Sequence, residues 1–112
     1  MEFIMSSKYW VGWRVLTEVL IVDYFIRNNI SELKSFTTGD LIEKYHTTIR
    51  LLRPSNVDVR ATINQELHSL VMQNCLTKTI RGIYIITPQS TLMDKIYAKR
   101  FELEFEGIYN QN

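Results

Sequence analysis

The order of hydrophobic periods along this 112-residue chain predicts an α+β fold: a three-helix core with a small antiparallel β-sheet, followed by a C-terminal helix. Three observations predict it. Between Ser55 and Gln73 apolar residues recur at helical spacing behind a cap. From Leu76 to Thr87 β-branched residues flank Arg81-Gly82. Two further amphipathic stretches lie upstream.

The first helix follows Ser6 or Ser7 and spans roughly 8–28, with Trp13, Leu16, Leu20 and Tyr24 on one stripe and Val15, Val19, Val22 and Ile26 widening it. Arg14, Glu18 and Asp23 leave little polar surface, so this helix is either central to the domain or buries a second face in a partner. Trp10 and Trp13 suit either role. Ser35-Phe36 reads as a short extended link. Thr37 is the expected N-cap of a short second helix, with Asp40 at N3 and Leu41, Ile42 and Tyr45 behind it. In the stretch from Thr47 to Pro54, Ile49, Leu51 and Leu52 are too apolar for a free loop. Part of it is expected to pack down or extend helix two, leaving Arg50 and Arg53 outward.

Ser55 with Asp58 three residues on forms a capping-box pattern for the third helix, and Pro54 keeps the preceding residue extended. Val59, Ile63, Leu67, Leu70 and Val71 then form its core stripe, and Gln73-Asn74 ends it, Asn tolerating the left-handed cap conformation. The hairpin follows. A strict two-residue type I′ turn requires positive φ at Arg81, which is unfavourable, so a slightly longer loop with Gly82 alone left-handed is expected. Pro88, lacking an N–H, closes the second strand. Ser90 and Thr91 can cap a last helix carrying Leu92, Met93, Ile96, Tyr97 and Phe101. Beyond Phe101 the pattern fits a strand, a continued helix through Phe105 and Ile108, or a frayed tail. The expected organisation is an N-terminal extension (1–7), one domain (8–98) and a C-terminal helix end or tail (99–112).

Length allows one hydrophobic core. No apolar run reaches membrane-span length, and no positive charge precedes Phe3-Ile4-Met5 as a secretory leader requires, so a soluble, intracellular protein without membrane contact is expected. Cys75, the lone cysteine, reads as a small buried residue. His46 and His68 are isolated, and no Gly-rich phosphate loop or metal-ligand spacing occurs. Neither catalysis nor a metal or cofactor is expected, and Asp40 and Asp58 read as helix caps rather than acids. The net charge of +1 is unevenly spread: residues 1–43 hold 4 Lys/Arg and 6 Asp/Glu, residues 44–100 hold 9 and 3, and residues 101–112 hold 0 and 3. A basic middle between acidic ends points to one anion-binding face.

The element order over about residues 8–98 resembles the winged helix-turn-helix family. The resembling residues are Phe36 to Ile42 at the second helix, Asp58 to Gln73 at the recognition position, and Leu76 through Arg81, Gly82, Ile83 and Tyr84 to Thr87 and Pro88 at the wing. In its opening, length and wing the chain also resembles the small winged-helix proteins of spindle-shaped viruses of the archaeon Sulfolobus. That resemblance implies a viral transcription regulator in the host cytoplasm.

At 100° per residue the face of the third helix opposite its core stripe carries Asp58, Ala61, Thr62, Gln65, His68, Ser69 and Met72, with Arg60 and Asn64 on one flank. Gln and Asn can pair bidentately with adenine, Ala and Thr methyls can touch thymine, and Arg60 can reach guanine or phosphate. Ser55 and Asn56, just before this face, are expected DNA contacts as well. Arg50, Arg53, Lys78 and Arg81 are the expected phosphate contacts, which position without reading sequence. The expected partner is double-stranded DNA, with a homodimer possible through the first helix or the C-terminal segment. The alternative is a winged-helix module for protein–protein interaction or dimerisation without DNA readout.

Overall fold

The structure is a computed structural model that describes residues 12–27, 35–52 and 58–110, with no account of the side chains of Arg100 and of 103–110. The expected N-terminal extension, Trp10, and the candidate contacts Arg53, Ser55 and Asn56 lie outside the described residues. In chain order the elements are α1 (Trp13–Arg27), β1 (Ser35–Thr37), α2 (Thr38–Leu52), α3 (Val59–Met72), β2 (Leu76–Lys78), β3 (Ile83–Ile86) and α4 (Thr91–Asn110). This α+β arrangement of four helices and a three-stranded antiparallel sheet is compatible with a winged-helix layout.

The sheet order is β1-β3-β2, so β3 is central and pairs Phe36 with Tyr84 on one side and Lys78 with Tyr84 on the other. Ser35-Phe36, expected as a link, is thus an edge strand. Along β3 Tyr84 and Ile86 are buried while Ile83 and Ile85 are half-buried, the alternation of a sheet with one face on the core. Phe25 of α1, Phe36 and Tyr84 stack across that boundary at centroid separations of 5.9 and 5.8 Å.

Local signals place the helix ends. The N-terminus of α2 is a reciprocal capping box, in which Thr37 N–H donates to Asp40 Oδ2 (2.8 Å) and Asp40 N–H to Thr37 Oγ1 (3.1 Å). At α3 the helix starts later than the Ser55–Asp58 pattern suggests. Asp58 itself is the N-cap, its Oδ1 accepting from Ala61 N–H at 3.0 Å, because a carboxylate facing the helix N-terminus meets both free N–H groups and the positive dipole end. The C-terminus of α3 is a Schellman motif: Asn74 has φ 64°, Cys75 N–H donates to Leu70 C=O and Asn74 N–H to Val71 C=O. Cys75 is buried, as expected, its Sγ 3.4 Å from Thr91 Oγ1. Ser90 caps α4 by accepting from Met93 N–H at 3.1 Å.

Three expectations are corrected. Helix two is not short: the stretch after Thr47 extends it, as one expectation had it, so that α2 runs to Leu52, bending at Tyr45 (φ −117°, ψ 20°), with Ile49 buried, Arg50 outward, and Leu51 and Leu52 exposed. The core face of α1 runs through Leu16, Thr17, Leu20, Ile21 and Phe25. Trp13 and Tyr24 are half-buried, and Val15 and Val19 are exposed, because the core lies on the side of Ile21 and Phe25, where Phe25 meets Phe36 of the sheet. At the hairpin tip Gly82 (φ 77°) is not alone: Arg81 is left-handed too (φ 45°). The loop is nevertheless longer than two residues, since Thr79 N–H bonds Ile83 C=O and Ile83 N–H bonds Ile80 C=O, leaving residues 80–82 to turn the chain. Of the alternatives open beyond Phe101, the structure has the continued helix, α4 running through Asn110 with Leu92, Met93 and Ile96 buried in the core.

Candidate nucleic-acid interface

Ile63, Leu67 and Leu70 are fully buried, with Val59 and Val71 packed against the same core, so the opposite side of α3 faces outward as its period predicts. Arg60, Ala61, Asn64, Gln65, His68 and Met72 are exposed there, and Thr62 is half-buried. Several of these side chains already have work within the fold. Asp58 is the helix cap, and Thr62 donates its hydroxyl to the Asp58 carbonyl at 2.9 Å, which ties both to the helix start. Asn64 Oδ1 accepts the Thr38 hydroxyl, leaving the Asn64 NH₂ as a donor while the bidentate adenine pairing needs both amide ends. Gln65 and Arg60 therefore stand as the readers with the widest choice. Arg60 Nη2 lies 3.6 Å from where a Cβ would stand on Gly39, so its guanidinium is carried toward the N-terminus of α2.

Ser69 turns out to face α1. Its hydroxyl accepts from Arg14 Nη1 at 3.2 Å, while Arg14 Nη2 donates to Gln73 Oε1 and Arg14 Nε to Glu18 Oε2 at 2.9 Å. Lys95 of α4 pairs with the other Glu18 oxygen. Burial works to raise the Glu18 pKa, but hydrogen bonds from Lys95 and Arg14 outweigh it and hold the carboxyl below its ordinary value. This clasp ties the C-terminal turn of α3 to α1 and α4. A second tie fixes α2: Tyr45 Oη donates to Asp23 Oδ2 at 2.7 Å, and Asp23 also pairs with Arg27 at 2.9 Å. Burial, then the bond to the Asp23 anion, pushes the Tyr45 phenol far above its usual range. Sequence reasoning named neither network. The i,i+4 spacings of Arg14 with Glu18 and of Asp23 with Arg27 signal the pairs within α1, but not their partners 55 and 22 residues away.

The hairpin continues directly from α3 through the turn at Gln73–Cys75. Lys78 on β2 is exposed and its Nζ lies 5.9 Å from the Tyr84 ring centroid, a cation–π contact that holds the ammonium beside the sheet. Arg81 is exposed at the tip. Arg50 is exposed on the part of α2 beyond the bend. The structure thus keeps Arg60, Gln65 and His68 on one helix, with Lys78 and Arg81 on the element that follows. Among the described residues no group of three His, Cys, Asp or Glu is arranged to hold a metal ion, and no helix is long and apolar enough to cross a membrane.

No protein-family model matches the chain, and no curated protein matches it in sequence.

Proposed function

We propose that this protein is a winged-helix DNA-binding protein in which α3 reads the major groove and the β2–β3 hairpin holds the phosphate backbone. The observation that carries this reading is the division of labour on adjacent elements. The outward face of α3 offers Gln65 and Arg60, hydrogen-bonding groups suited to base edges, whereas the exposed cations Lys78 and Arg81 stand on the hairpin. Base edges are read by such polar pairs, while cations neutralising phosphates supply affinity without sequence information.

Two features support the assignment of α3. Its N-terminal cap is satisfied internally by Asp58, and its far end is fixed by Arg14, so the helix is a rigid platform. The absence of Lys and Arg from α3 other than Arg60 limits non-specific adhesion through that helix, which leaves discrimination to hydrogen bonds. The resemblance of the wing to archaeal viral winged-helix proteins favours transcription regulation in a host cytoplasm, exercised by binding rather than by catalysis.

The test is selection of bound duplexes from a random oligonucleotide pool, followed by anisotropy titration. Gln65→Ala should lower preference for the selected site over random DNA about 10-fold, whereas Arg81→Ala should weaken both alike. Recovery of no enriched sequence, with no measurable duplex binding at low salt, would overturn the proposal.

A further inference from the structure

The start of α2 and the outward face of α3 meet in one side-chain pair that bears on which bases α3 can select. Thr38 opens α2 and is only 5% exposed. As the first residue of its helix it has no helical carbonyl one turn back to take its hydroxyl, the outlet a threonine deeper in a helix can use. The hydroxyl crosses instead to α3 and donates to Asn64 Oδ1, on a residue 26 positions further along the chain. A hydroxyl this closed to water needs such an acceptor.

That bond decides which end of the Asn64 amide faces out. Asn64 is exposed on the outward side of α3, and with Oδ1 turned to Thr38 its NH₂ is the end left for a ligand. In the reverse orientation the NH₂ would donate to the Thr38 oxygen, and the buried hydroxyl hydrogen would lose the acceptor it now has. A side chain offering donors alone matches the keto bases in the major groove, guanine with adjacent N7 and O6 acceptors and thymine with O4. Adenine and cytosine present amino groups there, which are themselves donors. An asparagine free to turn either end outward would instead suit adenine, which takes one donor and one acceptor.

We infer that Thr38 is a positioning residue for base selection: it holds Asn64 as a donor, so that the base facing Asn64 is guanine or thymine rather than adenine or cytosine. The inference rests on the proposed reading of α3 as the groove helix and adds to it the chemistry of one base position.

The test is selection of duplexes from a random pool by the full chain, then anisotropy titration of the selected site with each base pair replaced in turn. Asn64→Ala marks the position that Asn64 faces by flattening the preference there. At that position the parent should favour the keto base over adenine about 5-fold. Thr38→Val keeps the side-chain shape without the hydroxyl and should erase this preference or turn it toward adenine, leaving the other positions unchanged. Thr38→Ser keeps the hydroxyl and should retain the parent's preference. In an Asn64→Ala background, Thr38→Val should alter no base preference further. Far-UV circular dichroism checks the fold, and if the valine variant misfolds, Thr38→Ala decides. An undiminished keto preference without the hydroxyl would overturn the inference. So would adenine or cytosine at the marked position of the parent, no position flattened by Asn64→Ala, or a loss of affinity equal at every position in the Thr38 variants. A parent that binds no duplex overturns it together with the reading of α3, an outcome set apart because it shows before any variant is compared.

Discussion

Arg81 is the position where backbone strain and proposed function meet. Its φ of 45° lies in the left-handed region, where an L-residue other than Asn or Asp costs about 1–2 kcal/mol. The neighbouring Gly82 has open space around it, so packing at the tip offers no visible compensation. Replacing Arg81 by Asn keeps a residue that bonds its own backbone in this conformation. Arg81→Asn should therefore stabilise the fold by about 1 kcal/mol, a rise in Tm of about 4 °C for a domain of this size. The same change removes one cation from the hairpin. It should lower the slope of log K against log salt by about 0.9 and weaken binding to all duplexes alike. Thermal unfolding by circular dichroism gives the first quantity and anisotropy at several salt concentrations the second. An unchanged or lowered Tm would show that the left-handed φ carries no strain, and unchanged DNA affinity would remove the hairpin tip from the interface.

Other expectations follow from the same contacts. Thr37→Ala breaks the reciprocal cap of α2 and should cost about 1 kcal/mol in urea unfolding. Leu67→Ala empties a fully buried site on α3 and should cost about 2–5 kcal/mol, with DNA binding lost only as the fold is lost. Because the Glu18 carboxyl is held below its unfolded value, its contribution is present above the unfolded pKa and is lost as pH falls through the folded one. Stability measured from pH 6 downward should thus fall less steeply in Glu18→Gln than in the parent. The phenols of Tyr45, Tyr24 and Tyr84 are all raised, chiefly by burial, so their contribution is present below the ordinary tyrosine pKa of about 10 and is lost above it. Tyr45→Phe should reduce that alkaline loss, seen as a smaller drop in Tm between pH 9 and pH 11.

What the sequence made legible was what short-range chemistry dictates. The Thr37–Asp40 box, the Ile63–Leu67–Leu70 stripe, the Asn74 cap and Ser90 each act within one or two turns of helix, and the structure has all of them. What escaped depends on contacts distant in the chain. Ile21 and Phe25 become the core side of α1, where Phe25 meets Phe36 of the sheet, leaving Val15 and Val19 outward although they are as apolar. The bend at Tyr45 lets α2 carry Ile49 inward while the phenol reaches Asp23, a partner 22 residues upstream that no local pattern names. At the candidate interface the outward period of α3 was readable, but its division into committed and available side chains was not. Asp58, Asn64 and Ser69 look like groove residues by spacing, yet Asp58 caps its own helix, Asn64 is held by Thr38 of α2 and Ser69 by Arg14 of α1. The Arg81 conformation was judged from the cost of positive φ alone, and the hairpin adopts it regardless.

In the proposed function the exposed cations Lys78 and Arg81 on the hairpin and Arg50 on α2, joined by Arg53 from the sequence, hold DNA while α3 reads it. The most direct measurement is the affinity for duplex DNA across a salt series. With Arg50, Arg53, Lys78 and Arg81 all engaged, log K should fall by roughly three to four per tenfold rise in salt. A slope near zero, or no binding at about 20 mM salt, would contradict the account.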